Sequence, residues 1–360
     1  MTDTARLSRR ACLAGAAALP AAALAQAASM RAALPVTGGI HRIDPGLDAI
    51  VAPDAAVEVL GTGYGWAEGP VWVRDRYWLL FSDVPRNTVW RWRPGHGLDI
   101  FLRPSGLAGP VPPAFNEAGA NGLAIDAEGR LVMADSGNRA IARVDLDTRR
   151  KTMLATRYQG HRFNSPNTVA IARSGAIYFT DPPYGLKDQD HSPLRELPFQ
   201  GLFRLDTDGR VTLLDRRHYR PNGIALSPDE RTLYLALSDA KKPELLACPL
   251  DPRGLTGTPR LFHDMRAQHA AGGPGLPDGV TVDREGRVFA TGPGGVHVLT
   301  PQGKLLGIIA TGKAVANVCF GGREENILFL TSHDMLASVQ MKTSGWDRAR
   351  NRTGSGRRKL

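Results

Sequence analysis

One short phrase occurs six times in this 360-residue chain, and it limits what the chain can fold into. The phrase is a polar residue, a brief apolar run and a tight turn. Its clearest copy is Arg220-Pro221-Asn222-Gly223-Ile224-Ala225-Leu226-Ser227-Pro228-Asp229-Glu230. Pro-Asn-Gly heads a strand, and Ser-Pro-Asp-Glu closes it, since Pro presets the turn's φ and Asp caps its own backbone. The six polar heads are Glu68, Asn121, Asn167, Asn222, Asp278 and Asn317, spaced 39 to 56 residues apart. That is the period of propeller blades. A second strand follows each head, as in Ala176-Ile177-Tyr178-Phe179, then a third that alternates apolar and polar, as in Leu202-Phe203-Arg204-Leu205-Asp206. Alternation means one buried and one wet face. Five repeats carry a fourth strand. The sixth does not, and Val57-Glu58-Val59-Leu60 stands unassigned before the first head. The expected fold is all-β: a six-bladed β-propeller of four-stranded blades over residues 45–341, its ring closed by that N-terminal strand. Closure removes the exposed sheet edges that template aggregation.

The flanks carry other signals. Residues 1–27 read as a twin-arginine signal peptide, with Ser8-Arg9-Arg10-Ala11-Cys12-Leu13, an Ala/Leu-rich stretch and an Ala25-Gln26-Ala27 cleavage site. The expected partner is the twin-arginine export machinery, and the expected location is periplasmic or secreted. Residues 342–360 read as a basic, disordered tail. The net charge of +10 falls to +2 once leader and tail are set aside. No basic-aromatic face points to nucleic acid, and no other stretch approaches the ~20 apolar residues of a membrane span. Cys248 and Cys319 lie inside apolar runs and read as buried free thiols. His161, His191, His263 and His333 read as surface or loop residues.

In a propeller the first strand of each blade lines the central channel, so the six heads ring one mouth. The loops between second and third strands open on the same side. One of them, 181–200, is long enough to be a lid. Asp181 and His191 on this lid are expected substrate contacts. Glu68 and Asp278 are carboxylates, and unpaired carboxylates in a dry channel repel and raise each other's pKa. One divalent cation relieves this. All-oxygen donors favour Ca2+, with Mg2+, Mn2+ and Zn2+ as alternates: Mg2+ keeps its waters, and Zn2+ prefers His or Cys. Asn-Gly and Asp-Gly are also common turn dipeptides. The hairpin turns, however, lie at the opposite ends of these strands. No Gly-x-Ser-x-Gly nucleophile elbow occurs.

The motifs Glu68-Gly69-Pro70, Phe81-Ser82-Asp83-Val84-Pro85, Phe163-Asn164-Ser165-Pro166-Asn167, Tyr178-Phe179-Thr180-Asp181-Pro182-Pro183-Tyr184-Gly185, Pro221-Asn222-Gly223 and Leu276-Pro277-Asp278-Gly279 resemble the SMP-30/gluconolactonase/luciferin-regenerating family over residues 45 to 340. The resemblance implies a six-bladed propeller with one divalent cation in its channel that hydrolyses sugar lactones. It implies Glu68, Asn222 and Asp278 as metal ligands, Asn167 as ligand or substrate contact, and Asn121 facing the substrate. A small-molecule lactone is the implied partner, with Asp278 activating the attacking water. Two departures stand near the mouth. Thr168 replaces the family's usual Asp, and residues 107–119 insert a Pro-rich segment. Similar propellers hydrolyse aryl esters or phosphotriesters, and a non-catalytic binding propeller is the remaining alternative.

Overall fold

The computed structural model describes residues 34–346. Each repeat becomes one antiparallel sheet whose strands pair in chain order. Blade 1 consists of Ala67–Val73, Trp78–Asp83, Thr88–Arg93 and Gly97–Leu102. Blades 2, 3, 4 and 5 begin at Leu123–Ile125, Val169–Ile171, Pro221–Leu226 and Val280–Val282. Blade 6 takes Val315–Gly321, Ile327–Ser332 and Met335–Gln340 from the end of the chain. Its fourth strand is Val57–Thr62, antiparallel to Met335–Gln340 with Val57 opposite Val339. The ring is therefore a six-bladed propeller closed by an N-terminal strand, as the repeats predict.

The core sits between blades rather than within them. The buried apolar residues form six clusters, one at each joint between neighbouring blades. Phe81, Phe163, Phe179, Phe203, Phe289 and Phe329 are fully buried there. Burying each such ring contributes about 1.5–3 kcal/mol. At the joint of blades 2 and 3, Phe179 stacks on Phe203 with centroids 5.2 Å apart and meets Phe163 edge-on at 5.1 Å.

The mouth ends of the blades are also stitched together. A hydroxyl at the end of one blade's second strand donates to a carbonyl beside the next blade's head. The pairs are Ser82 Oγ to Asn121 O (2.7 Å), Ser136 Oγ to Pro166 O (2.6 Å), Thr180 Oγ1 to Asn222 O (2.8 Å), Ser238 Oγ to Pro277 O (2.5 Å) and Thr291 Oγ1 to Ala316 O (3.1 Å). The glycine after a head serves the same packing. A Cβ on Gly223 would collide with the Asp278 carbonyl oxygen, and one on Gly122 would collide with that of Asn167. Asn-Gly here marks close approach of two blades, not a hairpin turn.

The fold runs past both expected boundaries. Gly39–Arg42 adds an outer strand to blade 5, and Val36–Thr37 pairs with the closing strand. Residues 342–346, expected in the disordered tail, are held by backbone bonds. Lys342 N donates to Ile50 O, Gly345 N to Glu325 O and Trp346 N to Val282 O, at 2.8, 2.8 and 3.1 Å. The expected signal peptide and the tail from 347 onward lie outside the described residues. His263, expected at the surface or in a loop, instead lies on the strand Arg260–Asp264 and bonds the buried His297. Both cysteines are free, and burial pushes the Cys248 thiol up to about 12. No helix among the described residues is long and apolar enough to cross a membrane.

Candidate active site

Six heads in register place six oxygen-bearing side chains around the channel mouth. Glu68, Asn121, Asn167 and Asn222 are 2, 3, 4 and 4 % exposed. Their hydrogen bonds separate those that hold the site from those that face it. Glu68 Oε2 accepts from Gly69 N (2.8 Å) and from Asn317 Nδ2 (3.1 Å). Asn317 Oδ1 accepts from Val318 N at 2.9 Å. The sixth head therefore supports Glu68 and offers no free oxygen.

Asn222 is oriented by its neighbours. Ser238 Oγ gives its only proton to Pro277 O, so it must accept from Asn222 Nδ2, 2.9 Å away. The Asn222 amide oxygen is thereby turned into the channel, where it has no hydrogen-bond partner. Asn121 Oδ1 and Asp278 Oδ1 are likewise buried and without a partner. Asn167 differs, since its Oδ1 accepts from Thr168 Oγ1 at 2.9 Å. Thr168, the departure seen in the sequence, thus occupies an oxygen that Asn121 and Asn222 leave free.

The electrostatics match the crowding. Burial raises the Glu68 carboxyl, opposed by its bonds to Gly69, Asn317 and Trp66. Asp278 is raised well above the usual carboxylate range, first by burial and then by the charges of Glu68 and Glu117. Glu117 is pushed up to about 7 by burial and by Glu68. Burial is thus the first cause of all three shifts.

The sequence reading missed Glu117. It lies in the 107–119 insertion, four residues before a head, and an acidic residue in a crossover on the mouth side was the available signal. Arg220 and Tyr184 stood in the motifs without a role. The Arg220 guanidinium lies over the Tyr184 ring, 5.1 Å from its centre, and donates to Asp190 Oδ2 at 2.7 Å while its buried Nη1 has no partner.

The lid residues are placed differently from the heads. Asp181 ends the strand Ile177–Asp181, and its Oδ2 accepts from Asn164 N at 2.8 Å. Burial pushes it up to about 7, against the pull of Asn164 and Arg139. Its neighbours are Asn164 and Ser165, just before the blade 3 head, and the guanidinium groups of Arg139 and Arg195. His191 is exposed on the turn Gln189–His191.

A cavity of about 1000 Å3 runs along the inner strands from Thr168 and Asn317 to Asp126, Arg130, Gly175, Glu325 and Trp346 at the end opposite the heads. The unpartnered oxygens lie above it at the mouth, so chemistry rather than volume locates the site. Among the described residues no three His, Cys, Asp or Glu side chains gather as a metal cluster. Two carboxylate heads with amide oxygens, however, form a hard donor set of the kind that takes oxygen-preferring cations. The orphaned oxygens of Asn121, Asn222 and Asp278 fit such a group.

Fold and site together define a six-bladed propeller with oxygen donors ringing one mouth of its channel. The family model described as SMP-30/Gluconolactonase/LRE-like region matches residues 66–334, and the chain belongs to that family. A gluconolactonase of Zymomonas mobilis is 42 % identical over 95 % of this chain and 99 % of its own length. A pentonolactonase of Haloferax volcanii is 28 % identical over 76 % of this chain and 84 % of its own. The structure of a gluconolactonase from Xanthomonas campestris superposes with a TM-score of 0.74 at 32 % identity, covering 86 % of this chain and 97 % of that one.

Proposed function

We propose that this chain opens a sugar lactone to its aldonic acid with water, at the ring of heads, with one divalent cation held there. It is a lactone-hydrolysing enzyme of the SMP-30/gluconolactonase family. The cation and the division of labour among residues are our reading. The observation that carries it is the set of buried amide and carboxylate oxygens without partners, on Asn121, Asn222 and Asp278, beside Glu68. A buried polar atom left unpaired costs about 1–3 kcal/mol, so several together point to something that binds them. Glu68, Asn222 and Asp278 would hold the cation, with Asn167 weaker because Thr168 engages its oxygen. Ca2+ is the first candidate for this donor set. When bound, a divalent cation supplies polarisation of the lactone carbonyl and stabilises the charge that develops on its oxygen.

The chain's own residues do the rest. The Asp278 carboxylate takes a proton from water as the water oxygen bonds to the carbonyl carbon. The proton then passes to the ring oxygen as its bond to that carbon breaks. Asn121 and Asn167 orient sugar hydroxyls through their amide groups. The unpartnered Arg220 Nη1 stands ready for a further oxygen of the substrate. The twin-arginine leader supports export to the periplasm, and fractionation of cells carrying Arg9→Lys with Arg10→Lys tests this as retention inside.

The deciding experiment assays metal-stripped protein on glucono-1,5-lactone, an aryl ester and a phosphotriester, with Ca2+, Mn2+, Zn2+ or Mg2+ added. Lactone turnover restored by a divalent cation is expected. Full lactonase activity without any cation overturns the metal role. Turnover of only the other esters overturns the substrate, and none on any substrate favours a binding propeller.

A further inference from the structure

Arg220, just ahead of the blade 4 head Asn222, is held at every point but one. Its N donates to Gln200 Oε1 at 2.9 Å, and its carbonyl accepts from Ser238 N at 3.0 Å. Ser238 Oγ also receives Asn222 Nδ2, so one residue fixes both the Arg220 backbone and the amide of the head. The Arg220 guanidinium lies 5.1 Å from the centre of the Tyr184 ring and 4.9 Å from that of Tyr219. Its Nη2 donates at 2.7 Å to Oδ2 of Asp190, on the long loop of blade 3. Tyr184 in turn is tied to blade 3. The next residue, Gly185, donates its N at 2.8 Å to Oγ of Ser165, just before the head Asn167. The guanidinium therefore stands in the mouth wall between the heads of blades 3 and 4.

Asp190 cannot serve the guanidinium further. Its Oδ2 also accepts from the Tyr219 hydroxyl at 2.9 Å, and its Oδ1 accepts from Gln200 Nε2 at 2.8 Å and Arg195 Nη1 at 3.3 Å. A carboxylate offers about four lone-pair positions, and all are taken. Arg220 Nη1 stays buried and without a partner. A guanidinium carries only donors, so the partner that Nη1 takes is an acceptor. An arginine that merely anchored the loop would need the ion pair and the rings alone, and burying a further unmet donor weakens such an anchor. The charge is already answered by Asp190 at 2.7 Å. The acceptor therefore needs a lone pair rather than a negative charge, and a hydroxyl oxygen supplies one.

We propose that Arg220 is a specificity-determining residue, donating through Nη1 to a hydroxyl oxygen on the lactone ring, and that Asp190 is the positioning residue that holds it there from the 181–200 loop. This rests on the lactone reading above and names the feature of the substrate that the wall between blades 3 and 4 reads. The reacting carbonyl is common to all lactones, so a contact to it selects nothing among them. A ring hydroxyl separates polyhydroxylated lactones from bare ones. A site built to meet a substrate hydroxyl rejects the analogue without it, because its own buried donor is then unpaired. The loop thus takes part in selection through Asp190 without touching the reacting atoms.

Steady-state kinetics of the full chain with CaCl2 or MnCl2 present, on glucono-1,5-lactone and on δ-valerolactone, test the proposal. The second substrate has the same ring size and no hydroxyl. Arg220→Met keeps the stem and removes the donors. Its KM for glucono-1,5-lactone should rise more than its kcat falls, and its preference for that substrate over δ-valerolactone should drop about ten- to hundred-fold. Arg220→Lys retains the ion pair but not the fork, and should recover only part of the preference. Asp190→Asn should shift the preference in the same direction by less, with Asp190→Glu closer to the wild type. Thermal unfolding of each variant reports its folding. Should Arg220→Met melt early, Arg220→Lys decides alone, since it keeps the pair with Asp190. An unchanged preference in the Arg220 variants, or a fall in kcat alone, overturns the subsite and leaves lactone hydrolysis standing. A wild type that prefers δ-valerolactone does the same. A wild type that opens neither lactone overturns both readings.

Discussion

At Asn222 one amide is oriented by a hydroxyl that belongs to another strand. Ser238 bridges Asn222 Nδ2 and Pro277 O, so the same bonds that join blades 4 and 5 aim the Asn222 oxygen at the channel. Two substitutions separate these duties. Asn222→Ala should weaken cation binding about ten-fold or more, with a thermal midpoint near that of the wild type. Ser238→Ala should keep the ligand but let it rotate, giving a smaller loss of affinity with some loss of stability. Calorimetry and thermal unfolding on both variants check this, and equal affinity in all three proteins would remove Asn222 from the ligand set. Asp278→Asn tests the proton step. It retains an oxygen but cannot take a proton, so kcat should fall about 10²–10⁴-fold in a lactone assay. Near-normal kcat would assign the base elsewhere. The strand heads were legible in the sequence because six copies fall in one register. Glu117 was not, because it lies in the one crossover that breaks the repeat, where no register exists to count in.

Strand order and turn positions followed from period and from Gly/Pro punctuation. What the apolar pattern did not show was how the strands join across blades. A hydroxyl near the end of a strand looks like any Ser or Thr, and its partner is a backbone carbonyl some 25 to 42 residues on. Thr180→Val tests one such stitch. It leaves the buried Asn222 carbonyl unmet and should cost about 1–3 kcal/mol in denaturant unfolding, with Thr180→Ser recovering most of it. His263 and His297 were illegible for the same reason, being one partner short in any single strand. His297 Nε2 lies 3.0 Å from the Pro293 carbonyl, which only accepts, so Nε2 carries the proton and Nδ1 accepts from His263 Nε2, also at 3.0 Å. Burial pushes His297 down to about 4 from an ordinary 6.5. The folded state therefore refuses a proton that the unfolded chain takes up. The contribution is fully present above about pH 6.5 and is lost as pH falls toward 4, on the order of 3 kcal/mol in all. Asp181, raised to about 7, works in the opposite direction and loses its contribution as pH rises through 7. The His297 share is isolated by comparing wild type with His297→Gln: stability should fall less steeply in the variant between pH 6.5 and 4. Parallel curves would refute it.

The whole molecule depends on one long-range pairing. Four blades are local in sequence and blade 5 gains only the outer Gly39–Arg42 from the start, but blade 6 needs Val57–Thr62 from near the start and Met335–Gln340 from near the end. Propeller closure was predictable because the sixth repeat lacked a fourth strand and an unassigned strand stood ahead of the first head. The extra outer strands at Val36–Thr37 and Gly39–Arg42 were not, since they are too short to show a period. Their weights should differ accordingly. A chain beginning at Ile43 loses only the outer pairs and keeps the buried Leu47, Ile50 and Val51 that pack with blades 5 and 6. It should stay monodisperse, with a modest fall in thermal midpoint. A chain beginning at Tyr64 loses those three residues together with the closing strand. The strand Met335–Gln340 then becomes an open edge of unpaired donors and acceptors, a template for pairing with another copy. The truncation also strips Leu60 from the core at the joint between blades 6 and 1. Size-exclusion chromatography and thermal unfolding should show aggregation and loss of a single cooperative transition for the shorter chain alone. A cooperative monomer beginning at Tyr64 would mean that the six joint cores hold the ring without its closing strand.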